Sequence, residues 1–149
     1  MPVLDLFAGS GSLGIEALSR GAAAAVCVEA DRAAAAAIGA NLRAAGFSGE
    51  VLALPAARAV ATLRGRGHRF TGVFLDPPYD RGWIGPTLEL LDEADLVADG
   101  GWVVVEHGRN EEPAERVGAL VRRDTRRYGD TRIALFAVER PMGRVDGRA

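Results

Sequence analysis

Two short motifs, in a fixed order, constrain this chain more than anything else in it. The first is Val3-Leu4-Asp5-Leu6-Phe7-Ala8-Gly9-Ser10-Gly11-Ser12-Leu13-Gly14, a mostly apolar run that ends in a glycine-rich turn. The second is Val73-Phe74-Leu75 followed by Asp76-Pro77-Pro78-Tyr79. The opening run reads as a buried strand, and Gly9, Gly11 and Gly14 match G-x-G-x-x-G. Glycines permit a sharp turn and close backbone approach, and a helix beginning at Ser12 offers free N–H groups at its N-terminus. Strand, glycine turn and helix in that order make an α/β nucleotide-binding unit the expected fold.

The rest of the chain continues the alternation. Strands are expected near residues 25–28, 51–54, 72–75 and 102–106, with helices at 32–45, 57–63 and 86–93 between them. A further helix is expected over Ala114–Leu120. Two last strands, 121–128 and 132–138, meet at Gly129-Asp130, a hairpin signal. Such alternation implies a mostly parallel sheet covered on both faces, with an antiparallel hairpin closing it. With no internal repeat or linker, residues 1–149 are expected to form a single domain, 141–149 being a frayed tail.

Composition limits the partners. The net charge is -2, so there is no general electrostatic pull toward nucleic acid. All 18 basic residues are arginine. They gather at Arg64, Arg66 and Arg69 and again at Arg122, Arg123, Arg126 and Arg127, which read equally well as solvated surface or as phosphate contacts. The single Cys27 cannot form an internal disulfide, no apolar run approaches the roughly 20 residues of a membrane span, and no basic leader precedes the first strand. A cytoplasmic protein without a membrane partner is the expectation. No Cys/His set has metal-ligand spacing, so no metal is expected.

Glu29 closes the second strand, 20 residues after Gly9, where an acid can accept hydrogen bonds from two ribose hydroxyls. That pattern alone fits a nicotinamide dehydrogenase equally well. Asp5 separates the readings. It sits inside an apolar strand, where an unpaired carboxylate is costly unless a cation lies nearby. S-adenosylmethionine carries an ammonium and a sulfonium; a nicotinamide dinucleotide brings no ammonium. A structural acid tying the glycine loop is the plainer alternative for Asp5.

Asp76-Pro77-Pro78-Tyr79 lies at a strand's carboxyl end, the edge where open α/β sheets bind ligands. The exocyclic amine of a base is a poor nucleophile because its lone pair is delocalised into the ring. The Asp76 carboxylate and the Pro77 carbonyl can accept its two N–H bonds and favour the pyramidal nitrogen. The prolines stiffen that geometry, and Tyr79 can stack on an extruded base. His107, His68, Trp83 and Trp102 read as structural, and Glu106 as a weaker substrate-facing candidate.

These motifs resemble the RsmD family, bacterial methyltransferases of small-subunit ribosomal RNA that modify the N2 amine of a guanine. The resemblance rests on Val3–Gly11, Leu13–Ala22, Val28–Arg32, Asn41-Leu42, Phe74–Tyr79 and Tyr128–Thr131. It implies a class I S-adenosylmethionine-dependent, Rossmann-like fold with a seven-stranded sheet, and a monomer acting on ribosomal RNA or on the assembled small-subunit particle. It also implies that Glu29 holds the ribose, that Asp5 and the Gly9–Gly11 loop hold the methionine end, that Phe7 and Asp31 are further donor contacts, and that Asp76 to Tyr79 hold the target base. There are two departures. Pro55 stands where the family has an Asp or Asn for the adenine amine, which leaves the Ala56 backbone N–H for that contact. The basic N-terminal segment of the family is also missing, so weak methylation by this chain is expected. The alternatives are a DNA adenine or cytosine amino-methylase, which would need a target-recognition region, and a donor-binding domain with little catalysis.

Overall fold

The computed structural model describes residues 1–9, 11–78 and 81–140. Strand β1 (Pro2–Asp5) passes through the glycine turn into helix α1 (Ser12–Ser19) and returns as β2 (Ala24–Val28). Helix α2 (Arg32–Ala45) leads to β3 (Glu50–Leu52), α3 (Ala56–Gly65) to β4 (Phe70–Leu75), and α4 (Ile84–Glu93) to β5 (Val97–Gly108). Three strands complete the chain: β6 (Arg116–Val117), β7 (Leu120–Tyr128) and β8 (Thr131–Val138).

All eight join one sheet in the order β3-β2-β1-β4-β5-β8-β7-β6. The first five run parallel, and β8, β7 and β6 are added antiparallel. β1 pairs with β2 on one side and β4 on the other, so the chain reverses its direction of growth between them. The crevice outside the strand ends at such a switch point is where doubly wound sheets hold ligands.

Each face of the sheet has its own apolar cluster. On one face Ile38 and Leu42 of α2 pack with Ala8 and Cys27, and Ile15 and Leu18 of α1 lie against them. On the other face Val60 and Leu63 of α3 and Leu88 and Leu91 of α4 pack on Leu4, Leu6, Val73 and Leu75. Helix α4 buries Ile84, Leu88 and Leu91, the i, i+4, i+7 stripe of a surface helix. Leu63, Leu88 and Leu91 are fully buried, and each such side chain is worth about 1.5–3 kcal/mol. Asp31 caps α2 by accepting from the Ala34 N–H at 2.8 Å, and Gly46, in the left-handed region at φ 83°, ends it.

The expected fold class is present, with two corrections. The sheet has eight strands rather than seven, and the helix expected at Ala114–Leu120 does not form. Arg116–Val117 pairs instead with Leu120–Val121. Gly118, at φ 59°, makes the reversal, and the Asp92 carboxylate of α4 accepts from the Ala119 N–H at 2.9 Å. A tertiary tie thus outweighs the local helical pattern. β5 is also longer than expected, starting at Val97.

Candidate functional site

The carboxyl ends of the first four strands enclose a cavity of about 590 Å³. Leu6, Phe7 and Gly9 of the glycine turn form one wall, and Glu29 and Ala30 leave β2 on another. Pro55 and Ala56 begin α3 on a third side, and Asp76, Pro77, Pro78 and Trp83 close the fourth.

Local chemistry fixes the glycine turn. Gly9, at φ 56°, has open space where a Cβ would stand, which leaves room on the cavity side. Its N–H donates to Glu29 Oε1 at 3.1 Å, while Glu29 Oε2 accepts from the Asp31 N–H at 3.0 Å. The Gly11 N–H donates to the Ala8 carbonyl at 2.7 Å. These loop amides are therefore engaged within the protein. Gly11 does not line the cavity. At φ 80° it is glycine for packing, because a Cβ would stand 2.7 Å from Ile38 Cγ2. Gly14 is similar: a Cβ there would meet Cys27 Sγ at 2.7 Å.

Asp5 is 1% exposed and lies outside the cavity wall. Neither of its carboxylate oxygens has a hydrogen-bond partner among the described residues. Burial pushes its pKa up to about 7, and the charges of Asp76 and Glu29 push the same way; the Phe7 amide opposes them without reaching hydrogen-bond geometry. Burial, then Asp5, pushes the neighbouring Cys27 thiol up to about 12, which keeps it an unreactive core residue.

Asp76 is half-buried, and its pKa is pushed up to about 6 by burial and then by the Glu106 carboxylate. Register explains the second cause: Leu75 pairs with Val105, so the next residues of β4 and β5 emerge side by side. Pro77 is buried and Pro78 exposed. Ala56 is the first residue of α3, so its N–H is one of the amides an α-helix leaves without an internal partner.

The cavity thus gathers Phe7, Gly9, Glu29, Ala56, Asp76, Pro77 and Pro78 from the expected set. Asp31 is not in the wall; its carboxylate caps α2 instead. Tyr79 lies outside the described residues. Trp83, read as a packing residue, is 47% exposed and stands in the wall, edge-on to Phe7 at 6.2 Å. The available signal was its place in the loop that leaves β4 on the ligand-binding edge. Trp102 does pack: it lies edge-on to Phe74 at 5.3 Å and fills the space over Gly72. The first arginine cluster is away from the cavity, with Arg66 paired to Glu50 at 2.8 Å and Arg69 paired to Asp95.

Among the described residues, the only charged side chains in the wall are acids, Glu29 and Asp76, with Asp5 beneath them. Such a cavity favours a cationic ligand and disfavours a diphosphate, whose charge the two acids repel.

Comparison with known proteins agrees with this geometry. The family described as Conserved hypothetical protein 95 matches residues 1–137. The Bacillus subtilis (strain 168) protein YlbH is 40% identical over 135 residues, covering 89% of this chain and 73% of that protein. Ribosomal RNA small subunit methyltransferase D of Escherichia coli (strain K12) is 40% identical over 103 residues, 69% of this chain. This chain spans only 51% of the length of that relative. A conserved hypothetical protein of Streptococcus pyogenes superposes with a TM-score of 0.84 at 37% identity, over 93% of this chain and 86% of that one. A SAM-dependent methyltransferase from Agrobacterium tumefaciens shares the fold at 15% identity, with a TM-score of 0.70 over 92% of this chain and 56% of that one. With a family match over nearly its whole length and that fold beneath it, the chain belongs to the Conserved hypothetical protein 95 family, the RsmD family whose motifs its sequence carries.

Proposed function

We propose that this chain is an S-adenosylmethionine-dependent methyltransferase of ribosomal RNA, acting as a cytoplasmic monomer on the N2 amine of a guanine. The observation that carries the reading is an acid-walled cavity with an orphaned carboxylate, Asp5, beneath it and Asp76-Pro77-Pro78 at its mouth. The Escherichia coli relative, a ribosomal RNA small subunit methyltransferase, supports the choice of small-subunit ribosomal RNA.

When bound, S-adenosylmethionine supplies an electrophilic methyl group on a positively charged sulfur. Every other part falls to the chain. Glu29 holds the ribose with the lone pairs that its two backbone N–H donors leave unused. The charge of Asp5 faces the methionine end from below, and the Ala56 N–H meets the adenine. Asp76 and the Pro77 carbonyl accept from the target amine, which places the nitrogen lone pair toward the methyl group. Positioning of this kind can supply much of a rate enhancement. By its place in the motif, Tyr79 stacks on the base. Trp83 and Phe7 shield the reacting centre from water.

The test is transfer of labelled methyl to small-subunit particles, naked ribosomal RNA and DNA. Transfer to particle or RNA is expected, with Asp76→Ala losing most of it while binding the demethylated donor like the parent. Interactions made only in the transition state affect turnover more than affinity. Parent-level turnover in Asp76→Ala, or transfer to DNA alone, would overturn the reading.

A further inference from the structure

A second pocket lies on the same edge of the sheet, one strand beyond Asp76. Register puts His107 of β5, Arg132 of β8 and Arg127 of β7 in one row. Cross-strand partners share a face, with Cβ atoms about 4.5–5.5 Å apart. Arg109, Arg126 and Glu112 join them around a cavity of about 260 Å³. Leu75 pairs with Val105, and His107 is two residues further on, about 7 Å along the strand. The pocket therefore lies just beyond the carboxyl end of β4, on the face of the sheet that Leu75 and Val105 share.

Its charge is unlike that of the first cavity. Four guanidinium groups stand in its wall against one carboxylate, Glu112, in a chain whose net charge is -2. Glu112 is shared with Arg122, at 3.5 Å, which also donates to the Pro113 carbonyl at 3.0 Å and so holds this wall in place. Arg126 meets Asp124 at 3.0 Å and Arg109 meets Asp130 at 3.8 Å, both in exposed pairs that are weak and exchangeable. Arg132 donates to the Gly129 carbonyl at 3.1 Å, and Arg127 has no ion pair among the described residues. His107, 3% exposed, faces the Gly108 carbonyl with Nδ1 at 2.9 Å. A carbonyl only accepts, so Nδ1 carries a proton, and Nε2 is left buried with no partner. Four guanidinium groups against one carboxylate give this pocket a positive potential that attracts an anion.

We propose that this pocket binds a backbone phosphodiester of the RNA strand whose base is presented at Asp76. The proposal rests on the methyltransferase reading and names the group that holds its substrate. The planar guanidinium forks of Arg127 and Arg132 match phosphate oxygens in pairs, and the flanking arginines complete the charge. A water held on the phosphate can satisfy His107 Nε2. Phosphate contacts of this sort set register rather than sequence, which suits a site beside the reacting base.

The experiment measures binding of a small-subunit RNA fragment across a salt series. It compares the parent, Arg127→Gln with Arg132→Gln, and Arg20→Gln as a control just past the end of α1, where Arg20 pairs with Glu16 alone among the described residues. The double variant should lose about tenfold or more in RNA affinity. Its log affinity against log salt should flatten by about 1–2. Its affinity for the demethylated donor should not change, which shows that it is folded, and the control should match the parent. Unchanged RNA affinity and slope in the double variant would overturn the proposal. So would inorganic phosphate binding the parent as tightly as RNA does. If the parent transfers no methyl to RNA while the double variant still loses RNA affinity, the pocket stands and the enzymatic reading falls. If both methylate and bind RNA alike, the pocket falls and the enzymatic reading stands.

Discussion

Asp76 and Asp5 are both carboxylates at strand ends on one edge of a sheet, yet their surroundings give them different chemistry. Asp76 is half-buried beside Glu106, and its pKa is pushed up to about 6. Its proposed role is to accept hydrogen bonds from an amine, which requires the ionised form. The ionised fraction rises with pH through about 6, so kcat/KM for methyl transfer should fall tenfold per unit below that pH. Glu106→Gln removes the second cause and leaves burial, the larger one. The acid limb should therefore move to lower pH without reaching 3.8, the ordinary value. A limb that stays in place in Glu106→Gln would show that Glu106 does not set it. Asp76, Glu29 and Gly9 were legible in the sequence because each motif fixes a residue type at a strand end. Trp83 was not, because nothing local separates a tryptophan in a cavity wall from one in a core. Gly11 and Gly14 match the motif, and the structure sets them against Ile38 and Cys27, outside the cavity wall.

At the scale of elements, the alternation of strands and helices was readable as far as β5, since each unit packs by its own periodicity. The segment from Ala114 to Leu120 was not, because the deciding partner is distant in sequence. Asp92, 27 residues from Ala119, holds the reversal that makes β6. Two glycines isolate this effect. Gly118 and Gly129 have nearly equal angles, φ 59° and 62°. A Cβ at Gly129 would meet nothing, whereas one at Gly118 would run into the Asp92 carboxylate. Gly129→Ala should cost only the strain of a left-handed alanine, about 1–2 kcal/mol. Gly118→Ala should add the loss of a hydrogen bond to a charged acceptor, for about 3 kcal/mol or more in total. Denaturant unfolding of both variants measures the difference. Equal losses would mean that Asp92 moves aside without cost and that β6 has another anchor.

Across the whole molecule, the amino edge of the sheet and the first cavity treat charge in opposite ways. On the amino edge acids meet arginines, with Arg140 pairing to Asp95 and to Asp99 at 2.7 Å each. Around the first cavity Asp5, Glu29 and Asp76 converge without a cation among the described residues, and Asp5 bears most of the strain. Its pKa rises from 3.8 to about 7 on folding. The folded state therefore binds this proton more tightly than the unfolded chain does. The stabilisation is complete below 3.8 and is lost as pH rises to about 7, where the loss reaches about 4 kcal/mol. Asp5→Asn should accordingly melt higher than the parent at pH 8 and about the same at pH 4. A ligand that places an ammonium near Asp5 removes the conflict by favouring its ionised form. The demethylated donor keeps that ammonium, so its affinity for the parent should rise with pH and level off above about 7. In Asp5→Asn it should be weaker and nearly independent of pH. At a hundred times its Kd the compound should stabilise the parent by about 2.7 kcal/mol, which for a chain of this size raises Tm by about 5–10 °C. NAD, whose diphosphate would face Glu29 and Asp76, should leave Tm unchanged. Melting curves at pH 5 and pH 8 with each ligand decide the matter. A variant no more stable than the parent at pH 8, or a shift produced by NAD, would show that the buried charge of Asp5 does not select the ligand.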